Sequence, residues 1–467
     1  MSMIPGILLR APDNGQSNYL IAEGSDYALK KLRDFLTFKN KSNEFRIMQI
    51  KKTLREAPPW ITPDKKELLK KELEDLSDQI NVEYYEESNG KLIIPAGYWY
   101  LGEKVEGDIH LNTDIELVVN EGSRPYQIEG VSKLLQYKRA TLVLATGLGK
   151  TKCMSSICLS FIKKEKRICI IVPTEYLIQQ VVKTMKSFTD SVTGASSGRI
   201  PKLGTDILVC TAGTAGKYID RYDAVIIDEF HHTVASTWSE VLSMARAEYV
   251  YGLTATPFRT DGMDTAMHAF GGPVVYERDV SWGIDNGWLS PFSAFTVYID
   301  HGASIRSTAS RASAYKKSMN YVYIGEVAKH LKSAIASDRK IICLFKTIVA
   351  AKQLANMFGL SVADAKYKKP LYDFQNGVTK VLIASDRLVS EGVDIPDADV
   401  LILCTQNSSD IITMQALGRV LRKSEGKKTP MVVDCIAKGY ASFENSGRKR
   451  MKIWKKLASQ HKEIGLA

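Results

Sequence analysis

Ala140-Thr-Leu-Val-Leu-Ala-Thr-Gly-Leu-Gly-Lys-Thr151 is an apolar run that breaks into glycines and closes on Lys-Thr, just before a helical stretch. A loop that binds phosphate needs glycines, because only there can successive backbone N–H groups turn inward to cradle oxygens. It needs one lysine to reach the β- and γ-phosphates, here Lys150, and a hydroxyl for magnesium, here Thr151. Thr146, Gly147 and Gly149 complete the candidate cradle. The full phosphate-loop pattern calls for a small residue five positions before Gly149, where this chain has Leu144. Read alone, the element is therefore also compatible with a glycine-rich turn.

Working outward, short apolar strands alternate with helical stretches from about residue 122. The strands read Ala140 to Ala145, Ile168 to Val172, Ile207 to Cys210, Ala224 to Ile227 and Tyr249 to Leu253. A second series runs Lys340 to Phe345, Lys380 to Ala384, Val400 to Cys404 and Pro430 to Asp434. Near-continuous apolar strands separated by helices predict βαβ units and parallel sheets covered on both faces. The polar segment His301 to Asn320 between the two series reads as a mobile insertion near a lobe boundary.

The fourth strand of the first series ends in Asp228-Glu229, about 78 residues after Lys150. A carboxylate at the C-terminal end of a strand can hold magnesium, and its neighbour can orient or deprotonate an attacking water. Far along the chain, Gln415-Ala-Leu-Gly-Arg419-Val-Leu-Arg422 sets two arginines three apart, on one helix face. Phosphoryl transfer leaves the protein little covalent chemistry, so a guanidinium brought to the triphosphate contributes about 10³–10⁵ in rate. Lys150, Glu229 and Arg422 lie far apart in sequence, yet this chemistry requires them in one cleft.

In this order the elements resemble those of the superfamily 2 helicases. Motif I is Thr146 to Thr151, motif Ia begins Pro173-Thr174, and motif II is the DExH box Asp228-Glu-Phe-His231. Motif III is Thr254-Ala-Thr256, motif V contains Gly392 and Asp394, and motif VI is Gln415 to Arg422. Arg124-Pro-Tyr-Gln127 resembles the upstream element that reads adenine in many members. The resemblance covers roughly residues 120 to 440. It implies an α/β fold of two tandem RecA-like lobes behind a small α+β domain. The expected boundaries are 1–115, 116–295 and 296–467.

It also implies ATP and Mg²⁺ as cofactors. Lys150 and Thr151 would hold phosphate and metal, Asp228 metal, and Glu229 would act on water. His231, Thr254 and Thr256 would couple the nucleotide to the nucleic-acid track. Gln415, Arg419 and Arg422 would close on the nucleotide, with Gly392 and Asp394 at the inter-lobe cleft. Thr174, Thr211 and Lys346 are candidate backbone contacts, which position a strand without reading its sequence.

The rest of the chain bounds this reading. Its 467 residues carry 63 Lys and Arg against 52 Asp and Glu, and 13 of those bases against 4 acids fall after residue 416. Such an excess suits a polyanion. Arg448, Lys449, Arg450, Lys452, Lys455 and Lys456, interleaved with Trp454, read either as a nucleic-acid patch or as a terminal helix docked by Met451 and Trp454. The seven cysteines form no CxxC pair and lie mostly in apolar runs, as buried thiols do. No apolar stretch approaches the roughly 20 residues of a membrane span, and no secretory signal is visible, so a cytoplasmic location is expected, or a host cytoplasm for a phage protein.

The first 115 or so residues hold a charged helical stretch, Thr62 to Ile80, and strand-like runs at Lys91 to Ile94 and Ile115 to Val119. Gly97-Tyr-Trp-Tyr100 reads either as a small core or as a stacking or wedge surface. Thr254-Ala-Thr-Pro-Phe-Arg259 after a DExH box looks more like DNA translocases and restriction-enzyme motors than DEAD-box RNA helicases. With the short N-terminal domain it resembles the UvsW-like branch-migration helicases of phages. The expected partner is DNA, forked or branched, with no membrane. An RNA helicase and an ATPase switch that does not unwind are the alternatives.

Overall fold

The computed structural model describes residues 3–12, 19–39, 47–51, 54, 63–78, 81–107, 110–196, 204–232, 238, 241–242, 245–256, 265–305, 309–364, 366–386, 388, 398–407 and 410–465. The chain forms two compact units, Met1–Val143 with Lys150–Glu277, and Leu144–Gly149 with Arg278–Ala467.

The first unit opens with strands β1 (Ile4–Arg10), β2 (Tyr19–Glu23), β3 (Thr37–Lys39), β4 (Asn81–Glu83), β5 (Glu86–Ser88), β6 (Lys91–Pro95) and β7 (Gly102–Val105). Five of them form a mixed sheet in the order β5-β6-β2-β1-β7, while β3 pairs with β4. Helix Asp26–Leu36 packs its buried Ala28, Leu29, Leu32 and Leu36 inward, and the Ser25 hydroxyl caps its start. The charged helix spans Pro63–Asp78, with Thr62 outside the described residues. The run Ile115 to Val119 is not a strand. Its backbone bonds to helix side chains instead, Val118 N to Ser160 Oγ and Asn120 N to Ser156 Oγ.

A parallel sheet follows, built from β8 (Arg139–Leu144), β9 (Ile168–Val172), β10 (Val192–Ala195), β11 (Ile207–Thr211), β12 (Ala224–Asp228), β13 (Tyr249–Thr254) and β14 (Val274–Arg278), in the order β10-β11-β9-β12-β13-β8-β14. Every residue of β8, β9 and β13 is buried, as a sheet covered on both faces requires. The second unit repeats the plan with β15 (Ser293–Ile299), β16 (Ile341–Phe345), β17 (Val362–Ala363), β18 (Val381–Ser385), β19 (Val400–Cys404), β20 (Met431–Ala437) and β21 (Gln460–Ile464). Their order is β17-β18-β16-β19-β20-β15-β21, and all six pairings are parallel. The fold is α/β, two RecA-like lobes with a small α+β region at the N-terminus.

The aromatic cluster proves to be a docking core. Gly97 and Tyr98 are buried in the turn Ala96–Leu101, and Tyr98 joins a hydrophobic cluster that runs from Leu9 and Leu32 to Met267, Ala269 and Phe270. Trp99 donates its indole N–H to the Arg139 carbonyl at 3.0 Å and stacks on His110 and Tyr137. The Tyr100 hydroxyl meets His268 Nδ1 at 2.8 Å. The N-terminal region and the first lobe thus share one core. The segment expected as a mobile insertion contains helix Arg311–Ser318, capped by Ser310 and burying Ala314, Tyr315 and Ser318. All seven cysteines are buried and unpaired as disulfides. No helix among the described residues is long and apolar enough to cross a membrane.

Candidate functional site

The phosphate-loop candidate leaves the buried strand β8 and re-enters a helix at Lys150. Gly147 at φ +95 and Gly149 at φ +81 adopt backbone that L side chains rarely reach, so glycine is needed at both. The loop ends at the N-terminus of Lys150–Ile162, where unsatisfied N–H groups favour an anion. Leu144, the departure from the full pattern, is simply the buried last residue of β8.

Strand β12 delivers Asp228 to its C-terminal end. Glu229 then turns through a left-handed conformation, φ +50, unusual for a non-glycine residue and common at functional positions. That turn aims its carboxylate at Lys150, Nζ to Oε1 3.4 Å, and at His231, Nδ1 to Oε2 3.5 Å. His231 is buried, and its Nδ1 also lies 3.2 Å from the Thr254 hydroxyl. That hydroxyl donates to the Thr256 carbonyl at 3.0 Å and lies 3.2 Å from the Thr256 N–H. Lys150, Glu229, His231, Thr254 and Thr256 therefore form one continuous polar chain in the first unit. It links the loop to the C-terminal ends of β12 and β13.

Thr174 follows β9 as N-cap of Glu175–Met185, and Thr211 ends the neighbouring β11. Val172 and Thr211 are register partners, so both threonines lie at the same edge of the sheet as Asp228 and Thr254. The Gln127 side-chain oxygen accepts the Arg124 N–H at 2.9 Å and Arg124 bonds Tyr126 OH at 3.0 Å, a local knot that starts helix Pro125–Leu134.

In the second unit, Gln415 and Arg419 ride on helix Asp410–Val420, and Arg422 follows it, bridged to Leu289. The buried Gln415 Oε1 has no hydrogen-bond partner among the described residues. Loop residues 144–149 belong to this unit, and Gly418 packs on them so closely that a Cβ there would stand 2.4 Å from Thr146 Cβ. Lys346 sits just past β16, with Nζ 3.4 Å from the buried Asp386. Asp386 was not singled out from the sequence, although a carboxylate just after an apolar strand is the same signal that marked Asp228. Gly392 and Asp394 lie outside the described residues.

The C-terminal helix Ala441–Leu457 corrects the reading of the basic tail. Arg450 and Trp454 are buried and both bond Asp434. Burial opposes the charge on Arg450, but the adjacent Asp434 carboxylate prevails and leaves its pKa above the ordinary value. Arg448, Lys449, Lys452, Lys455 and Lys456 remain exposed, with Arg448 paired to Glu444 and Lys455 to Glu463.

The donor set fits a magnesium-bound triphosphate. It offers two positive-φ glycines, a helix N-terminus with Lys150 and Thr151 in its first turn, and the Asp228 carboxylate at the end of β12. Magnesium keeps several waters and needs only one or two protein oxygens.

Residues 121–259 match the family "Type III restriction enzyme, res subunit", and residues 326–424 match the "Helicase conserved C-terminal domain". The chain is a superfamily 2 helicase of the DExH type. This helicase is 26% identical over 376 residues to a protein of Sulfurisphaera tokodaii described as DNA 3'-5' translocase XPB2, covering 70% of this chain and 84% of that one. It is 26% identical over 343 residues to a protein of Escherichia phage T5 described as a probable helicase, covering 69% and 74%. A solved fragment of an HsdR subunit of a type I restriction enzyme from Vibrio vulnificus is similar at TM-score 0.56 and 22% identity, over 74% of this helicase and 69% of that chain. That likeness is one of fold.

Proposed function

We propose that this helicase is an ATP-dependent DNA translocase that remodels branched DNA such as forks and four-way junctions. The observation that carries the motor half is the polar chain from Lys150 through Glu229, His231 and Thr254 to Thr256. It is a physical route from a phosphate site to a sheet edge that carries candidate strand contacts.

Each residue has a task in this reading. Lys150 binds the β- and γ-phosphates, and the loop N–H groups orient them. Thr151 and Asp228 would hold magnesium, which when bound neutralises phosphate charge. Glu229 orients the attacking water and receives its proton. Its pairing with Lys150 keeps the base aimed at the phosphate loop. His231 and Thr254 transmit the state of Glu229 to Thr256. Gln415, Arg419 and Arg422 supply the second set of contacts to the triphosphate, and Arg124 and Gln127 meet the base. Gly392 and Asp394 keep their proposed place in the nucleotide site. Thr174, Thr211 and Lys346 grip phosphates of the strand.

The preference for DNA rests on the Thr254-Ala-Thr256 element after a DExH box and on the described activity of the archaeal relative. The branched-substrate reading rests on the small N-terminal region attached to the first lobe and on the exposed lysines of the C-terminal helix. The test is ATP turnover with single strands, duplexes, forks and junctions of DNA and with RNA, followed by strand displacement on the same panel. Forks and junctions are expected to stimulate most, and Lys150→Ala or Glu229→Gln to abolish turnover. Stimulation by RNA alone would sink the DNA reading. Nucleotide binding without stimulated turnover would favour a switch.

A further inference from the structure

The loop Thr405–Asn407, between β19 and the helix that carries Gln415 and Arg419, is held with unusual thoroughness. Gln406 is fully buried at φ +55. Its side chain donates to Tyr323 OH at 2.8 Å and to the Cys435 carbonyl at 2.6 Å, and it accepts the Ala437 N–H at 3.0 Å. Its carbonyl accepts from Arg311. The next carbonyl, that of Asn407, accepts from Arg450. The Arg450 guanidinium also makes a two-point pair with Asp434, Nε to Oδ2 2.9 Å and Nη2 to Oδ1 2.8 Å. The guanidinium spreads its five donors over three nitrogens, so it meets the carboxylate at two points and the carbonyl from a third nitrogen, a reach that a single ammonium nitrogen lacks.

From Asn407 the chain of contacts runs outward. Its Nδ2 donates to Asp386 Oδ2 at 3.1 Å, and the Lys346 ammonium reaches that same oxygen at 3.4 Å. Asp386 is fully buried, while the Lys346 side chain is half exposed. A buried carboxylate with an ordered second donor is a fixed anchor, so the position of the lysine is set from within.

We propose that Arg450 is a positioning residue for strand engagement. From the C-terminal helix it fixes Asn407, and through Asn407 and Asp386 it presents the Lys346 ammonium to a nucleic-acid phosphate. The proposal rests on the reading of Lys346 as a strand contact. It assigns a part in strand binding to a helix outside the recognised motifs, and to the one base in the tail cluster that never meets solvent.

The experiment titrates DNA-stimulated ATP turnover of the full chain with a single-stranded oligonucleotide. Arg450→Lys keeps a cation beside Asp434 but loses the Asn407 carbonyl. It is expected to raise the half-saturating DNA concentration about tenfold, as for loss of one hydrogen bond to a charged group, with maximal turnover within about twofold of wild type. Asn407→Ser, which leaves the buried pair intact, should reproduce the shift. Trp454→Phe removes a 3.0 Å bond to the same Asp434 carboxylate without touching Asn407, so it should lower the melting temperature and leave half-saturation alone. In a Lys346→Ala background, Arg450→Lys should add nothing further.

If Trp454→Phe moves half-saturation as much as Arg450→Lys does, or if the effects of Arg450→Lys and Lys346→Ala add, the role is only structural and the proposal falls. If Lys346→Ala shifts half-saturation but neither Arg450→Lys nor Asn407→Ser does, the proposal falls alone. If DNA fails to stimulate the wild type, or Lys346→Ala changes nothing, the underlying functional reading falls first.

Discussion

Gly97→Ala is a small change with a large expected cost. A Cβ built on Gly97 would stand 1.8 Å from the His268 carbonyl oxygen and 2.7 Å from that of Ala269. Both are backbone atoms, so no side-chain rotation relieves the clash. The helix they belong to, His268–Gly271, has little room to retreat. A Cβ on its Gly271 would meet the Phe230 ring at 2.3 Å, and Arg139 bonds the Phe270 carbonyl at 3.1 Å and the Ala247 carbonyl at 3.0 Å. Overpacking that moves side chains costs about 1–3 kcal/mol, and one that moves backbone belongs at the top of that range. For a unit of this size each kcal/mol corresponds to about 2–4 °C, so a loss of about 6–12 °C in the first unfolding transition is expected. Scanning calorimetry measures it. Gly213→Ala is the matched control, since nothing lies within 4 Å of a Cβ there and its φ is ordinary. If Gly97→Ala melts with the wild type and the control, the N-terminal region is not docked through this turn, and the shared core is wrong.

Other expectations follow from the same contacts. Gly418→Ala should gain about 1 kcal/mol in helix propensity, yet its Cβ would crowd Thr146 of the phosphate loop. That Cβ would also stand 2.5 Å from the Thr146 carbonyl oxygen, a backbone atom, so the variant should lose both melting temperature and ATP affinity, and an unchanged KM for ATP would refute the contact. Burial lowers the His268 pKa to about 4, from an ordinary 6.5. The unfolded chain then binds the extra proton first, so this contribution is complete above pH 6.5 and lost as pH falls through 4. It amounts to about 3 kcal/mol, and His268→Gln should flatten stability across that window. A wild type and variant with the same pH dependence would rule this out. Replacing the exposed Lys449, Lys452 and Lys456 by Gln should reduce the salt slope of DNA binding by up to about 3 if all three neutralise phosphates, whereas an unaltered slope removes the helix from the interface.

The parts of the fold legible in the sequence were those buried on both faces. Ile168–Val172 and Val400–Cys404 match their expected limits, because a strand in the middle of a parallel sheet has no polar face to blur the signal. In the two seven-stranded sheets, the strands that escaped notice lie at or beside the margins. Val192–Ala195, Val274–Arg278 and Gln460–Ile464 are edge strands with polar or small residues, the composition that discourages edge-to-edge pairing. The loop glycines and the Asp228-Glu229 pair were readable because each is a local signal, a glycine turn after an apolar strand and an acidic pair at a strand end. The left-handed turn at Glu229 was not, since it depends on Lys150 and His231 arriving from other elements.

Arg450 shows where counting charge fails as a method. Six bases within nine residues look like one surface, but helical geometry separates them: Arg450 and Trp454, four apart, share the buried face. The clue lay elsewhere, in Met431-Val-Val-Asp434-Cys-Ile-Ala437, where one carboxylate interrupts an apolar strand. An ionised group in a parallel sheet between Thr296 and Leu403 is costly to bury without a cation. The sequence therefore owed Asp434 a partner, and Arg450, 16 residues later on a basic helix, supplies it. A lone acid in an apolar strand, followed by an amphipathic basic helix, predicts that one of those bases is internal. The interior base is then the better place to look for a link between the fold and the bound strand.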